Sequence, residues 1–275
     1  MVSEKSESMS FAERYGPWAV IAGASEGTGR CFALKVAAQG VQCVLLGRRA
    51  GPLTAVAEEV RAATGVTCIT ASIDLAAPDA TERLIDAVGE REIGLFISNA
   101  GSDYNGSHFL DCELENWLEL VRRNVVTTLK CCHHFGALMR TRQKGGLLLV
   151  NSGVCYGGGS FMSVYSASKA FTLCLGETLW AELKPHGVDV LNLVLGRTDT
   201  PALRALLAEK GLAVPRHLAS PDAVAEGALA RLPHGPTHNW GFADDVKGFG
   251  PTSPDQRRAR IIAVDAASKD IFGDG

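Results

Sequence analysis

Short apolar runs separated by amphipathic stretches recur along the first 200 residues. Residues 18–22 (Trp-Ala-Val-Ile-Ala), 41–46, 66–73, 93–98, 147–152 and 188–195 each read as a buried strand. None shows the strict apolar–polar alternation of a strand with one wet face. Between them lie segments of helical periodicity: 27–39, stopped by Gly40; 52–64, with Pro52 in its first turn; and a helix after Pro78. Further helices are expected at 113–124, 125–142 and about 163–184. For the first helix the expected apolar face is Cys31, Leu34, the Lys35 stem and Ala38. Apolar strands alternating with helices predict an α/β fold of Rossmann type, a doubly wound parallel sheet covered on both faces. Such sheets bind ligands at the carboxyl ends of their strands.

After residue 200 the pattern loosens. Residues 201–210 read as a lid helix and 221–232 as a closing helix. The stretch 233–254, rich in proline and glycine, reads as a surface excursion around Trp240-Gly241-Phe242, and 253–272 as a last helix. With no repeat or linker in view, 1–275 is expected to be one domain, with 1–10 a frayed tail and 200–275 a lid and substrate region.

Composition narrows the function classes. A content of 46% hydrophobic and 21% charged residues supports a sizeable core rather than a disordered chain. The formal net charge of −3 argues against nucleic acid or an anionic membrane as the main partner. No apolar run reaches the roughly 18 residues that a bilayer requires, and the polar first ten residues do not read as a signal peptide. The eight cysteines include no C-x-x-C pair and no zinc-type pairing with histidine, so no metal is expected. They read as reduced core thiols of a cytoplasmic protein, with Cys155 the one to watch for reactivity.

The candidate chemistry gathers at strand ends. Gly23-Ala24-Ser25-Glu26-Gly27-Thr28-Gly29 joins the first strand to the first helix. Glycines there let a pyrophosphate approach a helix N-terminus, whose free N–H groups and dipole favour anions. The second strand ends in Gly47-Arg48-Arg49 with no acid in reach. A carboxylate there would suit the ribose hydroxyl of NAD, whereas a guanidinium suits the 2′-phosphate of NADP. Arg48 is the stronger candidate of the two, Arg49 the second. Asp74, at the third strand end, could accept from an adenine amine or cap a helix. Tyr165 and Lys169 lie one helical turn apart on one face, thirteen residues after Ser152 at a strand end. A phenol beside an ammonium is a proton donor suited to a carbonyl.

Together Gly23-x-x-x-Gly27-x-Gly29, Asn99-Ala100-Gly101, Asn124, Ser152, Tyr165-x-x-x-Lys169 and Gly196…Thr200 resemble the short-chain dehydrogenase/reductases over residues 16–203. Within that family Tyr15-Gly16-x-Trp18, Gly47-Arg48-Arg49, the stretch 124–134 and Leu195-Gly196 look like the bacterial NADP-dependent 7β-hydroxysteroid dehydrogenases. The resemblance implies catalytic roles for Asn124, Ser152, Tyr165 and Lys169. It implies cofactor contacts from Gly23, Ser25, Gly27, Thr28, Gly29, Arg48, Arg49, Asp74, Leu75, Asn99, Gly101, Tyr165, Lys169, Gly196, Thr198 and Thr200. Asn124 would kink its helix and hold a water that relays protons to Lys169. A homodimer or homotetramer is expected, through helices near 125–142 and 163–184. Three residues depart from the family pattern. Ala22 and Ser98 replace threonine and asparagine and are expected to weaken a hydrogen bond between strand ends. Leu195 replaces a proline and frees the following loop from a fixed φ.

The function these features imply is NADP(H)-dependent interconversion of a secondary alcohol and a ketone on a bulky, apolar small molecule. A 3-oxoacyl carrier-protein reductase is the alternative enzyme. From another class, an NADP(H)-sensing or scaffolding module remains open, although such proteins commonly lose the tyrosine or lysine. Ser152 lacks a G-x-S-x-G elbow, which disfavours a serine hydrolase. His133 and His134 read as a packed or half-exposed helical pair.

Overall fold

The six apolar runs form six parallel strands, β1 Trp18–Ala22, β2 Gln42–Gly47, β3 Cys68–Ser72, β4 Ile93–Ser98, β5 Gly145–Ser152 and β6 Val188–Leu195. The structure is a computed structural model that describes residues 9–103, 105–240 and Ala263. A short seventh strand, β7 Thr237–Asn239, completes one sheet of order β3-β2-β1-β4-β5-β6-β7. Every pairing is parallel. The chain runs outward from β1 to β3 and then returns to the other side of β1, so a crevice opens at the carboxyl ends of β1 and β4.

The helices are α1 Phe11–Tyr15, α2 Gly27–Ala38, α3 Ala50–Thr64, α4 Ala80–Val88, α5 Leu114–Val121, α6 Thr127–Arg142, α7 Ser163–Leu183, α8 Pro201–Glu209 and α9 Pro221–Arg231. Alternate residues of each strand face opposite layers, as the pleat requires. Ile21, Leu45, Ile97, Val150 and Leu193 meet α2, α3 and α9 on one side. Val20, Val44, Phe96 and Leu149 meet α4, α6 and α7 on the other, where the Phe96 and Phe135 rings lie 5.3 Å apart. Each such fully buried side chain contributes about 2 kcal/mol of transfer free energy. At the amino-terminal edge of the sheet, α1 is clasped to β6. The Tyr15 hydroxyl donates to Asp189 Oδ2 at 2.7 Å, and Arg14 donates to Asp189 Oδ1 at 2.9 Å.

Several expectations are corrected. Ser10 is not tail but the N-cap of α1, in a capping box with Glu13. The buried face of α2 is Cys31, Phe32, Ala33, Val36 and Ala37, while Ala38 is exposed. The helices expected at 113–124 and 125–142 form one helical path, α5 and α6 joined by a π-helical turn at Arg122–Val126. The stretch 233–254 holds β7, and just beyond it the Trp240 backbone N–H donates to Val194 O at 3.0 Å. The Ser98 hydroxyl turns to α6, 3.2 Å from Thr128 Oγ1, in keeping with the weakened side-chain bond expected between strand ends, while its backbone stays paired with Ala22 of β1. The last helix at 253–272, the tail residues 1–8 and Gly241-Phe242 lie outside the described residues, apart from Ala263. Among the described residues no helix is long and apolar enough to cross a membrane.

Candidate active site

At the carboxyl end of β5 the strand hands over to a one-turn 3-10 helix, Gly153–Tyr156, capped by Ser152, whose Oγ accepts from Val154 N at 3.5 Å. After the glycine triplet 157–159 the chain enters α7, whose first two turns carry Tyr165, Ser168 and Lys169. Lys169 is 5% exposed, and its Nζ donates to Val150 O at 2.9 Å. That ammonium lies 5.8 Å from the centroid of the Tyr165 ring, one turn back. Burial pushes the Lys169 amine down to about 8, with the Arg123 charge pushing the same way and Cys155 opposing.

The π turn places Asn124 against this pair. Asn124 Nδ2 donates to Ser168 Oγ at 3.0 Å and to Gly101 O at 3.3 Å, and Ser168 Oγ donates to Tyr165 O at 2.7 Å. Asn124 Oδ1 is buried and takes no hydrogen bond among the described residues. A Cβ on Gly101 would lie 3.1 Å from that oxygen and 3.0 Å from Lys169 Nζ, and its φ of +151° is one that side chains rarely adopt. The space shared by Asn124, Lys169 and the end of β4 therefore depends on glycine. Asn151, one residue before Ser152, completes the frame. Its Nδ2 donates to Lys169 O at 3.2 Å and its Oδ1 accepts from Ser152 N at 3.0 Å. Sequence reasoning missed Asn151 and Ser168. The one available signal was an asparagine closing a run of buried leucines.

On the β1 side, Gly23 and Gly27 take φ of +78° and +54°. Gly29 is forced by contact: a Cβ there would lie 1.9 Å from Gly23 O and 2.7 Å from Asn99 Nδ2, which itself donates to Gly23 O at 3.0 Å. Glu26 gives α2 no side-chain cap, so the first-turn N–H groups face the crevice without a carboxylate on them. Ser25 stands by Gly47, whose Cβ would meet its hydroxyl at 3.1 Å, and Thr28 is buried in the first turn. Gly196 is exposed beyond β6, Thr198 is buried in a bridge to Ala219, and Thr200 caps α8. The Thr200 methyl would lie 3.1 Å from a Cβ on Gly27, which sets the start of α8 against the glycine turn. These glycine-lined, amide-rich surfaces fit a pyrophosphate, and the buried Lys169 and Asn124 beside them fit a ribose and a reacting carbonyl.

The end of β2 departs from expectation. An acid does reach it: Glu26 Oε2 lies 2.6 Å from Arg49. Arg48 is exposed, and its carbonyl accepts from Ser72 Oγ at 3.0 Å. Asp74 does not cap a helix; its Oδ1 accepts from Ala76 N at 3.0 Å, in a turn ahead of α4. Leu75 is buried, its carbonyl accepting from Thr127 Oγ1 at 2.8 Å. In the loop ahead of α7, Phe161 is 6% exposed with φ of +63° and packs on His108, the two rings tilted by 35° with centroids 4.1 Å apart. A bulky residue in the left-handed region is strained, and such strain gathers at binding sites. Among the described residues no cluster of histidine, cysteine or acid side chains could hold a metal ion.

The chain is similar in sequence and fold to known proteins. The 7beta-hydroxysteroid dehydrogenase of Collinsella aerofaciens is 32% identical over 226 residues, which is 82% of this chain and 86% of its own. A solved structure from a study of 7beta-hydroxysteroid dehydrogenase stereoselectivity superposes with a TM-score of 0.80 at 31% identity, covering 85% of this chain and 91% of its own. A short-chain dehydrogenase from Sphingobium yanoikuyae in complex with NADPH superposes with a TM-score of 0.75 at 25% identity, covering 94% and 96%. The family profile described as short chain dehydrogenase matches residues 17–211, and the chain belongs to that family of oxidoreductases acting on CH–OH groups.

Proposed function

We propose that the protein interconverts a secondary alcohol and a ketone with NADP(H), on a bulky apolar substrate such as a hydroxysteroid, with Tyr165 as general acid and base. The observation that carries this reading is the fully enclosed ammonium of Lys169 beside the Tyr165 ring. A free phenol with a pKa near 10 is only about 0.1% ionised at pH 7. An ammonium in a water-poor site favours the phenolate that proton transfer leaves behind. The bound nicotinamide would supply or accept the hydride. Tyr165 would give its proton to the carbonyl oxygen in reduction and take it back in oxidation, while Ser152 would hold that oxygen by a hydrogen bond. Asn124, its amide fixed by Ser168 and Gly101, would present Oδ1 to a water beside Lys169 and so return protons from solvent.

Preference for the phosphorylated dinucleotide is assigned to Arg48, an exposed guanidinium directly after Gly47 at the carboxyl end of β2. The substrate class is supported by the steroid-active relative at 32% identity and by the aromatic wall of Phe161 and His108. The exposed apolar side chains Leu118, Leu129 and Phe171, on α5, α6 and α7, support a homo-oligomer formed through those helices.

The test is a Tyr165→Phe variant with NADPH and a 7-oxosteroid. Turnover should fall by at least a thousandfold with NADPH affinity unchanged, and appreciable residual turnover would contradict the role. Short 3-oxoacyl thioesters in the same assay, reduced faster than any steroid, would move the assignment to acyl substrates. Arg48→Ala should weaken NADPH far more than NADH; equal losses would remove the 2′-phosphate assignment.

A further inference from the structure

Beyond the groups that would touch the substrate, we infer that Tyr156 is a positioning residue for Ser152, acting through a strap that crosses from β5 to β7. The inference rests on the ketone-reduction reading above. Ser152 caps a single 3-10 turn, where among the described residues its Oγ accepts the long 3.5 Å bond from Val154 N. The turn is followed at once by Gly157-Gly158-Gly159, which adds no stiffness of its own.

Tyr156 is the last residue of the turn, and it supplies the second anchor. Its hydroxyl donates to Asn239 Oδ1 at 2.8 Å. Asn239 is 9% exposed and belongs to β7, where it pairs with Val194 of β6. Val194 in turn pairs with Asn151 of β5, the residue just before Ser152. The path Asn151–Val194–Asn239 across three strands, and back through Tyr156, therefore closes a ring around the Ser152 turn. Inside that ring Tyr156 packs on Cys155, Leu173 and Val194. A bond from the far edge of the sheet thus holds the exit of the turn whose entry presents the Ser152 hydroxyl. Misplacing a reacting group by about 1 Å can cost on the order of a hundredfold in rate, so loss of one end of this strap should be visible in kcat.

The experiment is a double-mutant cycle on the full chain, with NADPH and a 7-oxosteroid, alongside urea midpoints to report folding. Tyr156→Phe keeps the ring and removes the donor. It should lower kcat about tenfold, leaving the Kd for NADPH unchanged by direct titration. In a Ser152→Ala background the same change should have no further effect on kcat, because the group it positions is gone. Asn239→Leu, approaching from the other end of the strap, should reproduce the tenfold loss and its disappearance without Ser152. Equal losses in both backgrounds, or no loss with Ser152 present, overturn the positioning role and leave the ketone-reduction reading standing. A wild-type protein that binds NADPH yet reduces neither the 7-oxosteroid nor any ketone of a broad panel overturns both.

Discussion

An ammonium as enclosed as that of Lys169 is held against its own solvation, and a Lys169→Met variant measures by how much. The amine is pushed down from an ordinary 10.5 to about 8, mainly by burial. At about 1.4 kcal/mol for each tenfold change, the charged form is disfavoured in the folded state by about 3 kcal/mol. Methionine keeps much of the stem volume and removes the charge, but it leaves Val150 O without its donor, a loss of about 1 kcal/mol. The variant should therefore be more stable than wild type by about 2 kcal/mol at pH 7, while turnover collapses. The sign with pH follows from linkage. Between the folded value near 8 and the unfolded value near 10.5 the unfolded chain binds the extra proton, so wild-type stability rises with pH across that window. Below it the penalty is present in full; above it the penalty is gone. Urea unfolding of both proteins at pH 7 and pH 10.5 reads the difference directly, and contributions from other groups cancel between them. A variant that is less stable than wild type at pH 7, or a gap that does not narrow toward pH 10.5, would refute the argument.

Three further outcomes are expected. Gly29→Ala, whose Cβ would fall 1.9 Å from Gly23 O, should lower stability by about 2 kcal/mol and weaken NADPH at least tenfold; an unchanged Kd by fluorescence titration would contradict the close approach. Asp189→Ala leaves the Tyr15 hydroxyl and Arg14 unpaired at the amino-terminal edge, a cost of about 3 kcal/mol, and a chemical denaturation midpoint that does not move would dispose of the clasp; kcat should hold, since the clasp lies at the opposite end of the sheet. In the native protein a thiol reagent should modify exposed Cys174 and half-exposed Cys112 promptly, and the six buried thiols only on unfolding; fast reaction of all eight would contradict the packing.

Much of this was legible in the chain, and the exceptions share a cause. Six strands and most helices follow from runs such as 93–98, where continuous burial needs nothing but apolar residues. The glycine turn, Ser152, Tyr165 and Lys169 stood out because their spacing is fixed by strand ends and helical turns, whereas Asn124 came from the family resemblance alone. β7 was not, because Thr237-His238-Asn239 is polar and three residues long; it is a strand only because β6 offers an unpaired edge. Glu26 on Arg49 was missed because residues 23 apart in sequence meet only once β1 and β2 are paired. Asn151 looked like a strand residue, and its double role depends on where α7 comes to rest.

The π turn at Arg122–Val126 has a consequence of phase. Each residue advances an α-helix by about 100°, and a π turn accommodates an extra residue without passing that rotation on. Two faces that a uniform helix could not serve together are thus reconciled. Asn124 looks toward Gly101 and Ser168, while α6 keeps Cys131, Cys132, Phe135 and Met139 turned to the sheet. Removing one residue from this turn would not trim a loop. It would bring the two helices into a single register and force a choice, either the amide rotated out of the site or a layer of the core rotated into solvent.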